Sequence, residues 1–408
     1  MAQDYDLIIL GLARWDNTLN SSTLSIAKEF AKNQRVFYID KPFSFKDVLK
    51  LKKIDPNSTR KDAILFGKNI YHEVAIDGVK FTSVTPRMSL PINFIPDGKF
   101  YDWMAVYNNG LVADVLKKVI KDYGIKRYVF FNSFLPTYYN VIPKNCLQPL
   151  LKIYRSSDDI SQEGYIAKHG IRMEKIAVEQ SDLVVASSFS LCKNLAKYGK
   201  QVFRIANAAD PNLFYIPSPK PPKPKEITHL KGKLIMFTGK LSKLRIDYQL
   251  LYEIATNHPH DYLVFVGLYE QADIDEFGLS QLPNIIFTGS RPINELKDYL
   301  CHADCAIIPF LKNQLTESIY PLKINEYLAL GLPVVSTNFS DDIRSFEDVI
   351  QLADNHQDFL QKINLALNNV TEERKAQLVE ISKQNTWKHR VDELKILIQQ
   401  KIQEKGLN

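Results

Sequence analysis

Short apolar runs, rich in β-branched and aromatic residues, alternate along the chain with stretches whose apolar positions recur every three or four residues. The runs at 7–11, 36–40, 128–132, 151–156, 183–187 and 202–206 read as buried strands. Amphipathic stretches at 21–31, capped by Asn20 or Ser21, and at 171–180 read as helices between them. The rhythm breaks at Ile216-Pro-Ser-Pro-Lys-Pro-Pro-Lys-Pro-Lys225, where closely spaced prolines favour an extended polyproline chain. It then returns, with strands at 234–239, 262–267, 285–289, 305–310 and 334–337 and helices near 247–256, 293–302 and 322–330. From about Asn355 the pattern is wholly helical, and Trp387 opens a last amphipathic segment through Leu394 and Ile398. Continuous apolar strands separated by helices predict parallel sheets covered on both faces. The expected fold class is α/β, with two Rossmann-like domains, 1–215 and 231–385, facing an interdomain cleft. The expected Pro/Lys-rich linker is 216–230, and 386–408 is expected to be a helix returning to the first domain.

A chain of 408 residues is too long for one core, since cores stop growing at about 250–300 residues. With 45% hydrophobic and 24% charged residues it is neither disordered nor fibrous. No apolar run approaches about 18 residues, so no transmembrane helix is expected. The opening Met1-Ala-Gln-Asp-Tyr-Asp is acidic where a secretory signal is basic, which predicts a cytoplasmic protein. The four cysteines are too scattered for a disulfide framework, and Cys301 and Cys305, without a second cluster, read as core residues rather than zinc ligands. Charge is uneven: residues 1–215 hold 30 Lys+Arg against 21 Asp+Glu, the remainder 22 against 25. The basic first half draws anions.

In such sheets ligands bind at the C-terminal ends of the strands. The first strand ends Leu10-Gly-Leu-Ala-Arg-Trp-Asp16, without the glycine spacing of a dinucleotide site, and no Walker A sequence occurs. This excludes the usual dehydrogenase and P-loop readings. The second domain opens Phe237-Thr-Gly-Lys-Leu-Ser-Lys-Leu-Arg-Ile-Asp247, where Gly239, Lys240 and Arg245 fit a pyrophosphate cradle or an ordinary solvated loop. Farther on, Pro321 suits a first helical turn, and Lys323 and Glu326 lie one turn apart. Lys323 could meet a phosphate and Glu326 the two hydroxyls of a ribose; the alternative is a plain salt bridge.

The run Pro321-Leu-Lys-Ile-Asn-Glu-Tyr-Leu-Ala-Leu-Gly-Leu-Pro-Val-Val-Ser336 resembles the donor-binding segment of GT-B nucleotide-sugar glycosyltransferases, whose glutamate holds the nucleotide ribose. Gly239-Lys240 with Arg245 resembles that family's phosphate-binding group, Ala303-Asp304 its strand approach, and Asn207-Ala-Ala-Asp210 its Asn-Gly-x-Asp close of the first domain. Ser318 stands where the common Glu-x7-Glu pair has its first glutamate, with Glu317 beside it; Ser318 and Tyr320 are the remaining donor-side candidates. In the first domain, Tyr154-Arg-Ser-Ser-Asp-Asp159 resembles a segment of the xanthan glucuronosyltransferase and of teichuronic-acid-type transferases. That likeness implies a general base at Asp158; the other reading is that Asp158 or Asp159 caps the following segment. Arg14-Trp15-Asp16 resembles the teichuronic-type first loop, making Asp16 the second catalytic candidate and Arg14 and Trp15 acceptor contacts. Asn132, ending Phe130-Phe-Asn132, is a third first-domain residue on the acceptor side, with a structural role as the other reading.

No Asp-x-Asp stands where a metal-dependent sugar transferase would carry one, so neither metal nor cofactor is expected; Lys240, Arg245 and Lys323 take the leaving-group role. Residues 41–68 hold eight Lys+Arg against three Asp+Glu, interleaved with Phe43, Phe45, Val48, Leu49 and Leu51. This composition suits contact with an anionic membrane, or a solvated loop with a core-facing helix; no nucleic-acid reader motif accompanies it. The resemblance implies an inverting transfer from a UDP-sugar, with glucuronic acid leading, to a lipid-linked or polysaccharide acceptor. A retaining enzyme of the same fold, a non-catalytic sugar or lipid-phosphate binder, and a sugar-phosphate isomerase are the alternatives.

Overall fold

The computed structural model describes residues 4–16, 21–45, 47, 60–162, 164–214, 216, 219–368 and 370–407. It divides into two compact units, Met1–Ala206 with Arg390–Asn408, and Asn207–His389.

The first unit is built on eight strands: β1 (Asp6–Gly11), β2 (Val36–Asp40), β3 (Tyr71–Ile76), β4 (Val79–Val84), β5 (Tyr128–Ser133), β6 (Leu151–Ser156), β7 (Leu183–Ala186) and β8 (Val202–Arg204). Their order is β3-β4-β2-β1-β5-β6-β7-β8. All pairs are parallel except β3/β4, a hairpin whose turn residues Asp77 and Gly78 both have positive φ, 49° and 75°. Two successive left-handed residues match the right-handed twist of the paired strands. Strands β1, β2 and β5 are buried along their whole length, as helices on both faces require. A core cluster packs Ile8, Leu10, Phe37 and Ile39 against Val112, Leu116 and Val119 of the helix Lys99–Asp122.

The second unit carries β9 (Leu234–Thr238), β10 (Tyr262–Val266), β11 (Ile285–Gly289), β12 (Cys305–Ile308), β13 (Val334–Thr337) and β14 (Gln351–Ala353), ordered β11-β10-β9-β12-β13-β14 and parallel throughout. Cys305 is fully buried in β12, and Cys301 is buried just before it.

The boundary between units falls after Ala206, ahead of the proline-rich segment expected to link them. That segment is tied into the second unit. Lys220 donates to the Cys301 carbonyl (3.2 Å), His302 Nε2 bonds Pro221 O (2.9 Å), and Glu226 takes Arg291 (2.7 Å) and the Tyr299 hydroxyl (3.0 Å). A polyproline stretch makes no internal hydrogen bonds, so its carbonyls are available to neighbours. At the other end, the helix Trp387–Glu404 buries Val391, Leu394 and Ile398, and residues beyond it bond within the first unit: Lys405 pairs with Asp182 (2.9 Å) and Arg127 donates to Leu407 O (2.7 Å). Among the described residues no helix is long and apolar enough to cross a membrane.

Candidate donor and acceptor sites

In the second unit the site begins where β9 ends. Gly239 has φ of 116°, a conformation that side chains oppose, and its N–H donates to Val266 O (2.9 Å). A Cβ built on Gly239 would lie 2.8 Å from Cε and 2.9 Å from Nζ of Lys323, so the lysine lies directly over the glycine. Gly267 supports this approach from behind, since a Cβ there would fall 2.0 Å from the Gly239 carbonyl oxygen. The Lys323 ammonium also sits 5.4 Å from the centre of the Phe237 ring.

Lys323 and Glu326 come from the helix Leu322–Ala329, which Tyr327 fastens to β9: its hydroxyl accepts from the Thr238 N–H (3.0 Å) and bonds the Thr238 hydroxyl (3.2 Å). Pro321 occupies the cap position, and no side chain caps the first turn, which leaves the positive end of the helix dipole open. Burial, opposed by Glu326 and reinforced by Arg245, lowers the Lys323 pKa. Burial likewise raises that of Glu326, against the pull of Lys323. The two act on each other through charge, with no direct ion pair between them among the described residues. Desolvated charges without close partners are suited to receiving a ligand's charge and hydroxyls.

The loop after Gly239 is pinned by Leu241 N to Leu268 O (2.8 Å), Leu311 N to Arg245 O (2.8 Å) and Asn313 Nδ2 to Leu244 O (3.0 Å). Lys240 and Arg245 are exposed on it, with Glu270 3.9 Å from the Lys240 ammonium. The loop ends at Asp247, whose carboxylate caps the helix Tyr248–Asn257 by accepting from Leu250 N (2.9 Å) and also meets His356 Nε2 (2.9 Å).

Ser318 and Tyr320 are turned inward. The buried Ser318 hydroxyl donates to Leu315 O (2.7 Å) and closes the short helix Gln314–Glu317, while the buried Tyr320 hydroxyl bonds the side chain of Asn325 (3.1 Å). Both serve the local fold, because a hydroxyl enclosed beside a helix end satisfies the nearest backbone or amide group first. Glu317, beside them, is exposed.

In the first unit, β6 delivers Tyr154, Arg155 and Ser156, followed by an exposed Asp158 and a buried Asp159. The capping role falls to Asp159, whose Oδ1 accepts from Ser161 N (2.9 Å) and Ser161 Oγ (2.6 Å). Asp158 is presented outward, 3.3 Å from the Ser157 hydroxyl. Beneath it Arg155 is wholly buried, donates to Ser22 Oγ (3.2 Å), and has its pKa pushed down to about 10 by burial, against the field of Asp158. Glu174, which sequence reasoning missed, stands behind the strand end. One of its oxygens accepts from the Tyr154 hydroxyl and the Ser156 hydroxyl (2.9 Å each), and burial pushes its pKa up to about 7. The only signal for it in the sequence is a carboxylate beside Met173 on the buried face of a helix.

At the end of β1, Arg14 donates to Asp47 (2.9 Å) and lies over the Phe43 ring (3.7 Å), and Trp15 N–H donates to Asp40 (3.2 Å). Asp16 is exposed and pairs with Arg60 (3.2 Å), which in turn pairs with the buried Asp40 (3.1 Å) and lies over Trp15 (4.8 Å). Burial, opposed chiefly by Arg60, pushes the Asp40 pKa up to about 6. A polar cavity of about 390 Å³ borders Arg14, Asp16 and Lys41. Asn132, by contrast, is buried: its amide donates to Leu135 O (3.0 Å) and Tyr138 O (3.3 Å), and its oxygen accepts from Leu135 N (3.0 Å). Those bonds hold Phe134 at φ 59°, rare for a bulky residue. Asn132 shapes the strand end and offers no side-chain atom to an acceptor.

Within the cationic segment 41–68, residues 46 and 48–59 lie outside the described residues. Of the rest, Phe43 and Arg60 are buried and Lys41 is partly so, which places part of the expected surface inside the first unit.

Residues 232–369 match the family described as Glycosyl transferases group 1. TuaH of Bacillus subtilis, described as a teichuronic acid biosynthesis glycosyltransferase, is 28% identical over 166 residues, 40% of this chain and 41% of that protein. Among solved structures, the α,α-trehalose-phosphate synthase (UDP-forming) of Burkholderia vietnamiensis superposes over 98% of this chain and 99% of its own, with a TM-score of 0.65 and 9% identity. HepE of Anabaena in complex with UDP and glucose does so over 97% and 100%, with a TM-score of 0.60 and 15% identity. At such identities the likeness is one of fold, and the fold is GT-B.

Proposed function

We propose that the chain is a glycosyltransferase that takes a sugar from a UDP-sugar and passes it to a lipid-linked or polysaccharide acceptor. The observation that carries the reading is the desolvated Lys323 lying over Gly239, one helical turn from Glu326. A diphosphate resting on Gly239 would meet the Lys323 ammonium and the open helix end, with Lys240 and Arg245 at its edge. The Glu326 carboxylate would accept from both ribose hydroxyls. This donor half is supported by the group 1 match over 232–369 and by the fold shared with UDP-bound HepE.

The proposed transfer is inverting. The acceptor oxygen attacks the anomeric carbon, Asp158 takes its proton, and the bond to the diphosphate oxygen breaks, releasing UDP. Lys323, Lys240 and Arg245 neutralise the departing charge, so no metal is invoked. Asp158 is taken as the base of the two candidates because it stands exposed directly after β6, at the aspartate of the Tyr154-Arg-Ser-Ser-Asp158 likeness. Asp16, Arg14 and Trp15 are assigned to the acceptor. Glucuronic acid is the leading donor sugar, in keeping with the likeness of Tyr154-Arg-Ser-Ser-Asp158.

Calorimetric titration with UDP and GDP, first without metal and then with magnesium, tests the donor half. Metal-independent UDP binding that weakens in Glu326→Ala is expected; silence toward both nucleotides would remove the assignment. The anomeric configuration of the product tests inversion.

A further inference from the structure

The solvent face of the first two turns of the helix Lys99–Asp122 is apolar. Phe100, Trp103, Val106 and Tyr107 are 62%, 67%, 57% and 48% exposed, and Phe94 just before them is 74% exposed. With Leu90 they make six of the eighteen large exposed hydrophobics among the described residues, gathered within 90–107. The Phe100 and Trp103 rings stack, 6.3 Å apart. Farther along the same helix the exposed positions become Asp114, Lys117, Lys118, Lys121 and Asp122, the ordinary surface of a soluble protein. One helix thus carries two kinds of solvent face.

The patch has a rigid base. Tyr101 stacks on His169 (3.7 Å), whose Nε2 bonds Ile95 O (3.0 Å), and Tyr101, Ala105, Ile95 and Met173 form a core cluster below. The aromatic side chains are therefore held outward by the fold.

We infer that this face docks on a lipid bilayer bearing anionic headgroups. A cluster of exposed apolar side chains on one helix face marks an interaction site, and Trp and Tyr around an apolar centre are the composition of a membrane interface. The charges at the rim are complementary to anionic lipid. Asp97 and Asp102 share Arg172 (2.7 Å each), which leaves one negative charge, while Lys99, Lys168 and Arg87 are exposed and none is in an ion pair, so these six side chains sum to +2. Two patch residues, Leu90 and Phe94, also line a largely apolar cavity of about 500 Å³, together with Ile92, Phe134, Leu135 and Ile166. A lipid tail leaving the bilayer would find apolar surface there, whereas a flat protein partner would leave it empty. The inference rests on the proposed transferase only for the lipid's role as acceptor, and its test needs no turnover, so either can fail alone.

Of the three tryptophans, Trp387 is buried and Trp15 partly so, which leaves Trp103 as the exposed reporter. The full chain is mixed with vesicles of phosphatidylcholine and phosphatidylglycerol carrying brominated acyl chains. Expected are co-sedimentation, a blue shift and bromine quenching, with the optical signals lost in Trp103→Phe while sedimentation persists. Phe100→Ser combined with Tyr107→Ser weakens partitioning about tenfold or more, as removal of buried aromatic area requires. Absence of vesicle binding overturns the inference, as does binding with Trp103 unquenched, which gives the membrane to another surface. A lipid-indifferent dimer that protects Trp103 in sedimentation velocity overturns it in favour of a second copy.

Discussion

The side chain of Lys323 fills the volume that a methyl group on Gly239 would need. Two elements far apart in sequence, a strand end and a helix start, thereby share one small space, and each fixes the other. Gly239→Ala must both displace the ammonium and hold alanine at φ 116°, a strain of about 1–3 kcal/mol. UDP affinity is expected to fall about tenfold or more. In a Lys323→Ala background the same change should cost less, because the crowding is gone; a calorimetric double-mutant cycle with additive losses would break the link.

Asp158→Asn is expected to slow transfer by roughly a hundredfold to ten-thousandfold while leaving the UDP dissociation constant unchanged, since the residue lies on the first unit and the nucleotide is assigned to the second. Initial rates and calorimetry on the same preparation decide it. An equal loss of UDP binding would mean that the substitution acts on the fold.

His356 bonds Asp247 through Nε2 (2.9 Å) and Glu253 through Nδ1 (3.0 Å), which requires a doubly protonated ring. Burial lowers its pKa, but the two carboxylates outweigh this and raise it above 6.5. A raised folded-state pKa contributes stability that is complete below the unfolded value and lost as pH climbs through the folded one. The melting temperature of the native chain should therefore drop more than that of His356→Gln between about pH 6 and about pH 9. Parallel profiles would show the bonds to be energetically neutral.

Glu174 titrates in the opposite chemical sense with the same outcome. Its folded pKa of about 7, raised from 4.5 by burial, makes the folded chain bind more protons than the unfolded one across that window. Stability must then fall as pH rises through it and level off above, a loss on the order of 3 kcal/mol. Glu174→Gln keeps an oxygen for Tyr154 and Ser156 but cannot ionise, so it should gain on the native chain from about pH 5 to about pH 8 in urea unfolding. A constant difference between the two would contradict the buried-acid account.

Buried parallel strands are legible in a sequence because both faces demand apolar residues, and β1, β2, β5, β9 and β12 all announce themselves this way. The hairpin β3/β4 does not, since one face of Tyr71–Ile76 turns Glu73 and Ala75 to solvent and the other sets the polar His72 beside the buried Val74. The helix Lys99–Asp122 escaped for a related reason: Phe100, Trp103 and Tyr107 point outward and spoil its amphipathic period. In the candidate donor site, spacing picks out Gly239 and Lys323, which the fold brings together, whereas Ser318 and Tyr320 share the motif but turn inward, a difference that only neighbouring backbone decides. Arg60 lay hidden in a basic run because a charge count does not distinguish a cation facing solvent from one facing Asp40. Asp158 and Asp159 are chemically alike and adjacent; the bond to Ser161 separates their roles.

Residues 390–408 complete the first unit, yet they are made after the whole of 207–389. During synthesis the second unit has every one of its own contacts available while the first still lacks a helix that buries Leu394 and Ile398 and a lysine that reaches Asp182. The order in which the chain is spelled and the order in which it matures are thereby uncoupled: the half that emerges first is finished last, and it waits for its final helix while the other half can already close.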